Sequence, residues 1–273
     1  MRSNFFQRTL TGSLFVIAAA GATLAGSFPF MILLFVMNFL CLFEFYELVL
    51  PDKSRLEKYL GLVAGTLIFG MFAMIFMARL SLEWYYHLIP IILFIFIVKL
   101  FEQSHQEFTT LAFQLLGLIY ITLPIVMFAK LGYFNSMDYS SGLPLGIFIL
   151  QWTSDTGAYL AGRSFGNRKL FERVSPKKTW EGSAGGFILS ILIAWLLSMS
   201  EWFDDVNRRD WIIIAALIVI FGTFGDLFES LLKRNLKIKD SGTMMPGHGG
   251  VLDRFDGLLF SVPAIFFYLL FTN

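Results

Sequence analysis

A polytopic, all-helical membrane bundle of about nine spans is the fold class that this sequence predicts. Three observations predict it. Of 273 residues, 56% are hydrophobic and only 15% charged, against roughly a quarter charged in an ordinary soluble domain, and the mean hydropathy is +0.69. The apolar runs are continuous and recur near the ~20 residues that carry a helix across a bilayer. They lack the alternation of a membrane β-barrel. The Lys and Arg residues gather in alternate connections, as a bundle inserted in one orientation requires. No long polar stretch remains from which a separate soluble domain could be built.

The spans are expected at about 9–26, 28–50, 60–80, 84–101, 108–133, 142–163, 180–200, 211–232 and 255–272. With the N-terminus cytoplasmic, seventeen of the 21 Lys and Arg fall on that side; Arg79, Lys130, Arg208 and Arg209 fall on the other. Merging or splitting a central span would scramble this bias, so it supports count and orientation together. Arg2 and Arg8 ahead of a small-residue-rich apolar run resemble the start of a secretory signal peptide. That run is long and ends without a clear A-x-A site, which favours a retained first span.

Residues 1–140 form an N-terminal group of five spans with little polar chemistry. Glu44 and Glu47 share a helix face near the cytoplasmic end of the second span, close enough to the interface to reach water. His87 and His105 lie in or near connections, where a surface role is the plainer reading. Pro90 and Pro124 are expected to kink their helices. The single cysteine, Cys41, excludes an internal disulfide and a thiolate metal cage; it reads as a small buried hydrophobe. No internal repeat of the kind that builds alternating-access transporters is visible.

Residues 141–273 are different, and any catalytic region belongs here. The sixth span carries Gln151, Thr153, Ser154, Asp155 and Thr156 in its cytoplasmic half, followed by Gly157, Tyr159, Gly162 and Arg163. A carboxylate at that depth needs a cation, a metal or a hydrogen-bond network, and intramembrane acids usually mark sites. A buried ion pair that only holds the bundle together is the competing reading. The next loop contains Ser175-Pro176-Lys177-Lys178-Thr179-Trp180-Glu181-Gly182. Paired lysines flanked by hydroxyl groups suit a triphosphate, lysine supplying charge and the hydroxyl and N–H groups supplying direction. Pro176 and Thr179 have the character of helix-start residues, so free N–H groups at the head of the seventh span are expected to face the same anion. The loop is not a Walker A motif. Topology signals and lipid headgroup binding are the alternatives, and the Ser, Thr and Glu beside the lysines weigh against them.

The densest polar stretch runs from Gly225 to Gly257, between the last two spans. Asp226, Glu229 and Ser230 share a helix face, as do Asp253 and Asp256. Glu229 and Lys233 have the spacing of a simple helix salt bridge. Between the two carboxylate pairs lie Lys233, Arg234, Lys237, Lys239, Asp240 and the turn Pro246-Gly247-His248-Gly249-Gly250, with Arg254 beyond it. Hard carboxylate oxygens without thiolates suit Mg²⁺ rather than zinc, and magnesium commonly takes one or two carboxylates plus substrate phosphates. The Gly-Gly pair would let backbone approach a ligand closely. These are the parts of a phosphoryl-transfer site: metal clamp, cationic clamp and permissive loop.

The pattern S-x-L-K-R-x-x-x-x-K-D-S-G-x-x-x-P-G-H-G-G-x-x-D-R-x-D, from Ser230 to Asp256, closely resembles the signature of the phosphatidate cytidylyltransferase (CDP-diacylglycerol synthase) family. The Asp155-Thr156-Gly157-Ala158-Tyr159 run with Gly162-Arg163, and the Ser175–Gly182 loop, resemble two further family motifs in the expected order. The resemblance covers roughly residues 150–262; the first five spans agree only in being hydrophobic. Met245 stands where the family usually has Leu, Ile or Phe before Pro246, a volume-conserving change.

The resemblance implies transfer of the cytidylyl group of CTP to phosphatidate, with Mg²⁺ as cofactor and release of pyrophosphate. It implies Asp226 and Asp253 as metal ligands, with Asp256 as a third. Ser175, Lys177, Lys178 and Thr179 would handle the triphosphate, and Lys233, Arg234 and Arg254 the phosphatidate headgroup or the transferring phosphoryl. Asp155, Glu181, Ser230, Gly249 and Gly250 are expected around the substrates. Lys239, Asp240 and His248 are family positions whose roles sequence does not divide. The expected partners are CTP and phosphatidate in the bilayer of the cell's inner membrane, with no nucleic acid; a second metal ion and a homodimer are both compatible with the sequence. A CTP-dependent lipid-alcohol kinase would share the basic loop and the acidic ligands. An ion-coupled transporter would explain Asp155 and Asp226 but not two glycine-bearing basic loops on one face.

Overall fold

The computed structural model describes residues 2–50, 55–101, 107–238, 241–242 and 249–272, with side chains from Gly12 onward except that of Glu107. Lys239, Asp240, His248 and His105 lie outside the described residues. The helices are α1 (Arg2–Leu24), α2 (Ser27–Val49), α3 (Arg55–Phe76), α4 (Leu88–Leu100), α5 (Glu107–Gly117) and α6 (Leu123–Leu131), then α7 (Gly142–Phe165), α8 (Trp180–Leu197), α9 (Arg208–Asn235) and α10 (Leu252–Thr272). A 3₁₀ turn at Leu82–His87 leads into α4, and a π turn at Leu118–Thr122 joins α5 to α6 as one bent rod. Among the described residues, nine rods therefore stand where nine spans are expected.

Seven of the described helical segments are long and apolar enough to cross a membrane. Of the other two rods, α1 contributes the shorter apolar helix Gly12–Leu24 among the described residues, and α7 has the length but carries the polar run from Gln151 to Thr156. Pro124 sits in the first turn of α6, immediately after the π turn. The expected kink is thus a widened turn that accommodates a residue with no N–H.

The loop after α7 is not irregular. It forms a short antiparallel hairpin of β1 (Lys169–Phe171) and β2 (Ser175–Thr179), pairing Lys169 with Thr179 and Phe171 with Ser175. Pro176 accordingly lies within a strand, and this corrects its expected place at a helix start. Thr179 does begin the helix: its extended backbone is the N-cap of α8, and its hydroxyl accepts the Gly182 N–H at 3.1 Å.

One apolar core unites both halves of the chain, with Phe30, Leu34 and Leu42 of α2, Phe128 of α6, Phe148 of α7, Ile214 and Ile218 of α9 and Ile265 of α10 all buried in it. Helices α7 and α8 then approach through small residues. A side chain on Gly157 would meet the Gly185 carbonyl at 2.9 Å, one on Gly182 the Ala158 carbonyl at 2.9 Å, and one on Gly186 the Ser154 carbonyl at 2.8 Å. Within a bilayer such small-residue seams replace the hydrophobic drive that lipid removes. Helices α9 and α10 cross in the same way, Gly225 against the Asp256 carbonyl and Gly257 against Gly222. That crossing sets Asp226 beside Asp256.

The two ends of the bundle are fixed by different chemistry. At the end away from the hairpin, Asp205 accepts from the Ser140 hydroxyl at 2.9 Å and the Leu143 N–H at 2.8 Å, capping α7. Tyr139 donates to the Thr23 carbonyl at 2.8 Å, and Ser27 and Tyr133 share a short hydrogen bond. The hairpin end holds the C-termini of α7 and α9 and the N-termini of α8 and α10. It is the polar end.

Candidate active site

A cavity of about 710 Å³ opens at the hairpin end, between α1, α7, α8, α9 and α10. The motifs that sequence placed in three separate stretches meet on its walls. Asp155 and Arg163 come from α7, Lys177, Lys178 and Thr179 from β2, Asp226 and Lys233 from α9, and Asp253, Arg254 and Asp256 from α10. Asp155 is not sunk in the bundle as its depth suggests: it opens on to the cavity and is exposed there. The hairpin wall carries only cations, Lys177 and Lys178, while α7, α9 and α10 each bring a cation together with carboxylates.

Two ion pairs cross this space. The Lys178 ammonium contacts the Asp226 carboxylate, bridging the hairpin to α9. Lys233 bridges α9 to α10, 2.8 Å from Glu229 and 2.5 Å from Asp253. The pairs differ in setting. The side chains of Lys178 and Asp226 are 24% and 42% exposed, those of Lys233 and Asp253 only 14% and 12%. The first pair is therefore screened and easily exchanged for a charged ligand, whereas the second is a semi-buried strut.

Asp253 has further commitments. Its other oxygen accepts the Gly250 N–H at 2.9 Å and the Ser241 N–H at 3.1 Å. The bond to Gly250 reaches back from the first turn of α10 to the chain that enters the helix. The bond to Ser241 ties in the chain leaving α9. Asp256 is less engaged: its Oδ1 accepts the neighbouring Gly257 N–H at 2.7 Å. Asp226 and Asp256 thus face the cavity with their hard oxygens, while Asp253 organises the loop.

Several expected site residues lie off the cavity wall. Ser175 and Pro176 are on the hairpin behind Lys177. Glu181 turns toward the hairpin entry, where it accepts the Asn167 and Arg168 N–H groups, each at 3.2 Å. Ser230 and Arg234 are on α9 outside the lining, Arg234 exposed. Gly249 and Gly250 are also outside it. Gly249 has φ of +86°, which favours glycine, and Gly250 packs against Ser241 and Glu44. The smallness of Gly250 therefore serves the chain's own packing, as does that of Gly222, Gly225 and Gly257.

The structure also adds residues. Glu229 lines the cavity and is buried, and its helical spacing with Asp226 is the signal that points to it. Gln151 lines it with a buried Oε1 that has no hydrogen-bond partner among the described residues. Phe15 and Val16 of α1 close the apolar side, and Phe15 meets Phe255 edge to face at 5.3 Å. No motif marks these α1 positions in the sequence.

A cavity with cationic and acidic walls, a polar end and an apolar flank, set within a membrane bundle, defines an enzyme that handles phosphorylated substrates where water meets lipid. The chain belongs to the cytidylyltransferase family, whose model matches residues 6–272. It is 33% identical over 268 residues to the phosphatidate cytidylyltransferase of Bacillus subtilis, covering 96% of this chain and 97% of that one. It is 32% identical over 267 residues to that of Staphylococcus aureus (strain COL), covering 94% and 96%. The Haemophilus influenzae phosphatidate cytidylyltransferase is 44% identical over 133 residues, 48% of this chain and 46% of that one. The first two alignments extend well beyond the three motifs, into helices that sequence inspection found merely hydrophobic.

Proposed function

We infer that the protein transfers the cytidylyl group of CTP to phosphatidate, giving CDP-diacylglycerol and pyrophosphate. The observation that carries this reading is the convergence of Lys177, Lys178 and Thr179 with Asp226, Asp256 and Lys233 on one cavity, in a chain similar along its length to enzymes of that name. The bundle lies in the cell's inner membrane, N-terminus inside, and the cavity faces the cytoplasm, which the Lys and Arg distribution supports. CTP then arrives from water and phosphatidate from the bilayer.

A phosphatidate phosphate oxygen attacks the α-phosphorus of CTP in line with the departing pyrophosphate. One P–O bond forms as one breaks, and the electron pair of the broken bond leaves on pyrophosphate. A phosphate monoester carries its second charge above pH ~6, so the nucleophile needs no protein base. Lys177 and Lys178 bind the triphosphate and neutralise charge building on the leaving group. Thr179 caps α8 and orients that approach. Lys233, held by Glu229 and Asp253, and Arg254 sit where charge develops between the two phosphates. Catalysis rests on orientation and fixed charge.

The acidic residues fit a magnesium ion. Asp226 and Asp256 offer hard carboxylate oxygens to the cavity; among the described residues no group of three or more His, Cys, Asp or Glu is placed to hold a metal ion by itself, so the rest of the shell would come from water and substrate phosphates. Asp226 and Asp256 would hold it, with Asp253 close behind; when bound, the ion would neutralise phosphate charge and help align the triphosphate.

The test is a product balance with purified enzyme, α-labelled CTP and phosphatidate vesicles. The expected result is label in the lipid phase with one pyrophosphate per lipid, abolished by chelation and restored by Mg²⁺. CDP left in water beside a newly phosphorylated lipid would instead mean a lipid kinase.

A further inference from the structure

Glu44 lies on α2, more than two hundred residues before the motifs, yet it is 4% exposed. Its partner Glu47, on the same face, behaves as a surface residue, 48% exposed and 2.8 Å from Lys58. Glu44 instead reaches the head of α10. Its Oε2 accepts the Leu252 N–H at 2.8 Å, one of the first-turn donors that a helix leaves unsatisfied. Its carboxylate also fills the space where side chains on Gly242 and Gly250 would stand, 2.6 Å from such an atom on Gly242 and 2.5 Å from one on Gly250. A negative charge at that place matches the positive end of α10.

The same turn carries Asp253, which holds Gly250, Ser241 and Lys233. A continuous set of contacts therefore runs from Glu44 through the Gly242–Gly250 junction and Asp253 to Lys233 on the cavity wall.

We propose that Glu44 is a positioning residue for the transfer reaction: it caps α10 from the N-terminal half and so fixes Asp253 and, through it, the Lys233 ammonium. Glu44 touches no reacting atom. Its loss lets the head of α10 fray and leaves Lys233 with a mobile partner, so the interaction weakened is one made to transition-state charge. Such a loss lowers kcat and kcat/KM together and spares KM.

The proposal rests on the transfer reaction inferred above, so the experiment pairs turnover with a readout that needs none. Glu44→Ala, Glu44→Gln and Glu47→Ala are purified in detergent, assayed with CTP and phosphatidate, and followed by amide hydrogen exchange over residues 249–256. Glu44→Ala is expected to lose about tenfold or more in kcat with KM for CTP within about threefold, and to exchange faster over 249–256 alone. Glu44→Gln keeps an acceptor for the Leu252 N–H and should recover most of the turnover; Glu47→Ala should match wild type. Unchanged kcat and exchange in Glu44→Ala would overturn the proposal. So would equal losses in Glu44→Ala and Glu44→Gln with exchange accelerated throughout α2 and α3, the mark of a residue needed only for folding. Should wild-type enzyme transfer no cytidylyl group, the reaction fails, and the exchange result alone decides whether Glu44 holds α10.

Discussion

An Asp253→Asn enzyme is expected to lose turnover and stability together. The carboxylate is the shared partner of Lys233 and of the Gly250 and Ser241 N–H groups, and asparagine can replace neither its charge nor its two-sided acceptance. Breaking a fully buried pair costs about 3–5 kcal/mol. Here the two side chains are 14% and 12% exposed, so about 2–3 kcal/mol is the proper scale. Turnover should fall by about 10²–10³-fold, the usual consequence of removing one preorganised charge partner. Thermal unfolding in detergent measures the first effect and steady-state kinetics the second. Wild-type values of both would remove Asp253 from the account.

Asp226→Asn should separate these effects. Its side chain is 42% exposed and its pair with Lys178 lies open to the cavity, so the pair contributes at most about 1 kcal/mol to folding. The melting temperature should hardly move. Turnover should drop by about 10²–10³-fold, with a higher Mg²⁺ requirement, because a hard oxygen facing the substrate phosphates is gone. Lys178→Met should lose turnover to a similar extent, and the double variant should lose less than the two losses combined, as expected for groups acting as one unit. Additive losses would mean that Lys178 and Asp226 act at separate steps.

The contrast between the two aspartates bears on what the sequence could reveal. Continuous apolar runs and the Lys/Arg distribution sufficed for nine rods, because span length and charge asymmetry are set by the bilayer itself. The Ser175–Gly182 loop and the Gly225–Gly257 stretch sufficed to single out Lys178, Asp226, Lys233 and Asp253, which line one cavity in the structure. Spacing along a helix says which side chains share a face, but not which of two carboxylates a backbone N–H will claim. Asp226 and Asp253 therefore looked alike in sequence and differ in the structure. Glu44 was invisible for a related reason. Helical spacing paired it with Glu47, and only the tertiary crossing of α2 with α10 turns one of them inward. Gly249 and Gly250 carried a signal of close approach to a ligand, and in the structure Gly250 packs instead against Ser241 and Glu44 of its own chain. Pro176 misled because proline suits the first turn of a helix and the edge of a short hairpin equally well.

Direct attack of the lipid phosphate on CTP leaves its mark in the stereochemistry at the α-phosphorus. With a single diastereomer of CTP in which sulfur replaces one non-bridging oxygen at the α-phosphorus, a single in-line displacement in the cavity must invert that phosphorus. CDP-diacylglycerol of inverted configuration is the expected product. Retention would require two successive displacements through a covalent cytidylyl-enzyme, and would contradict direct attack.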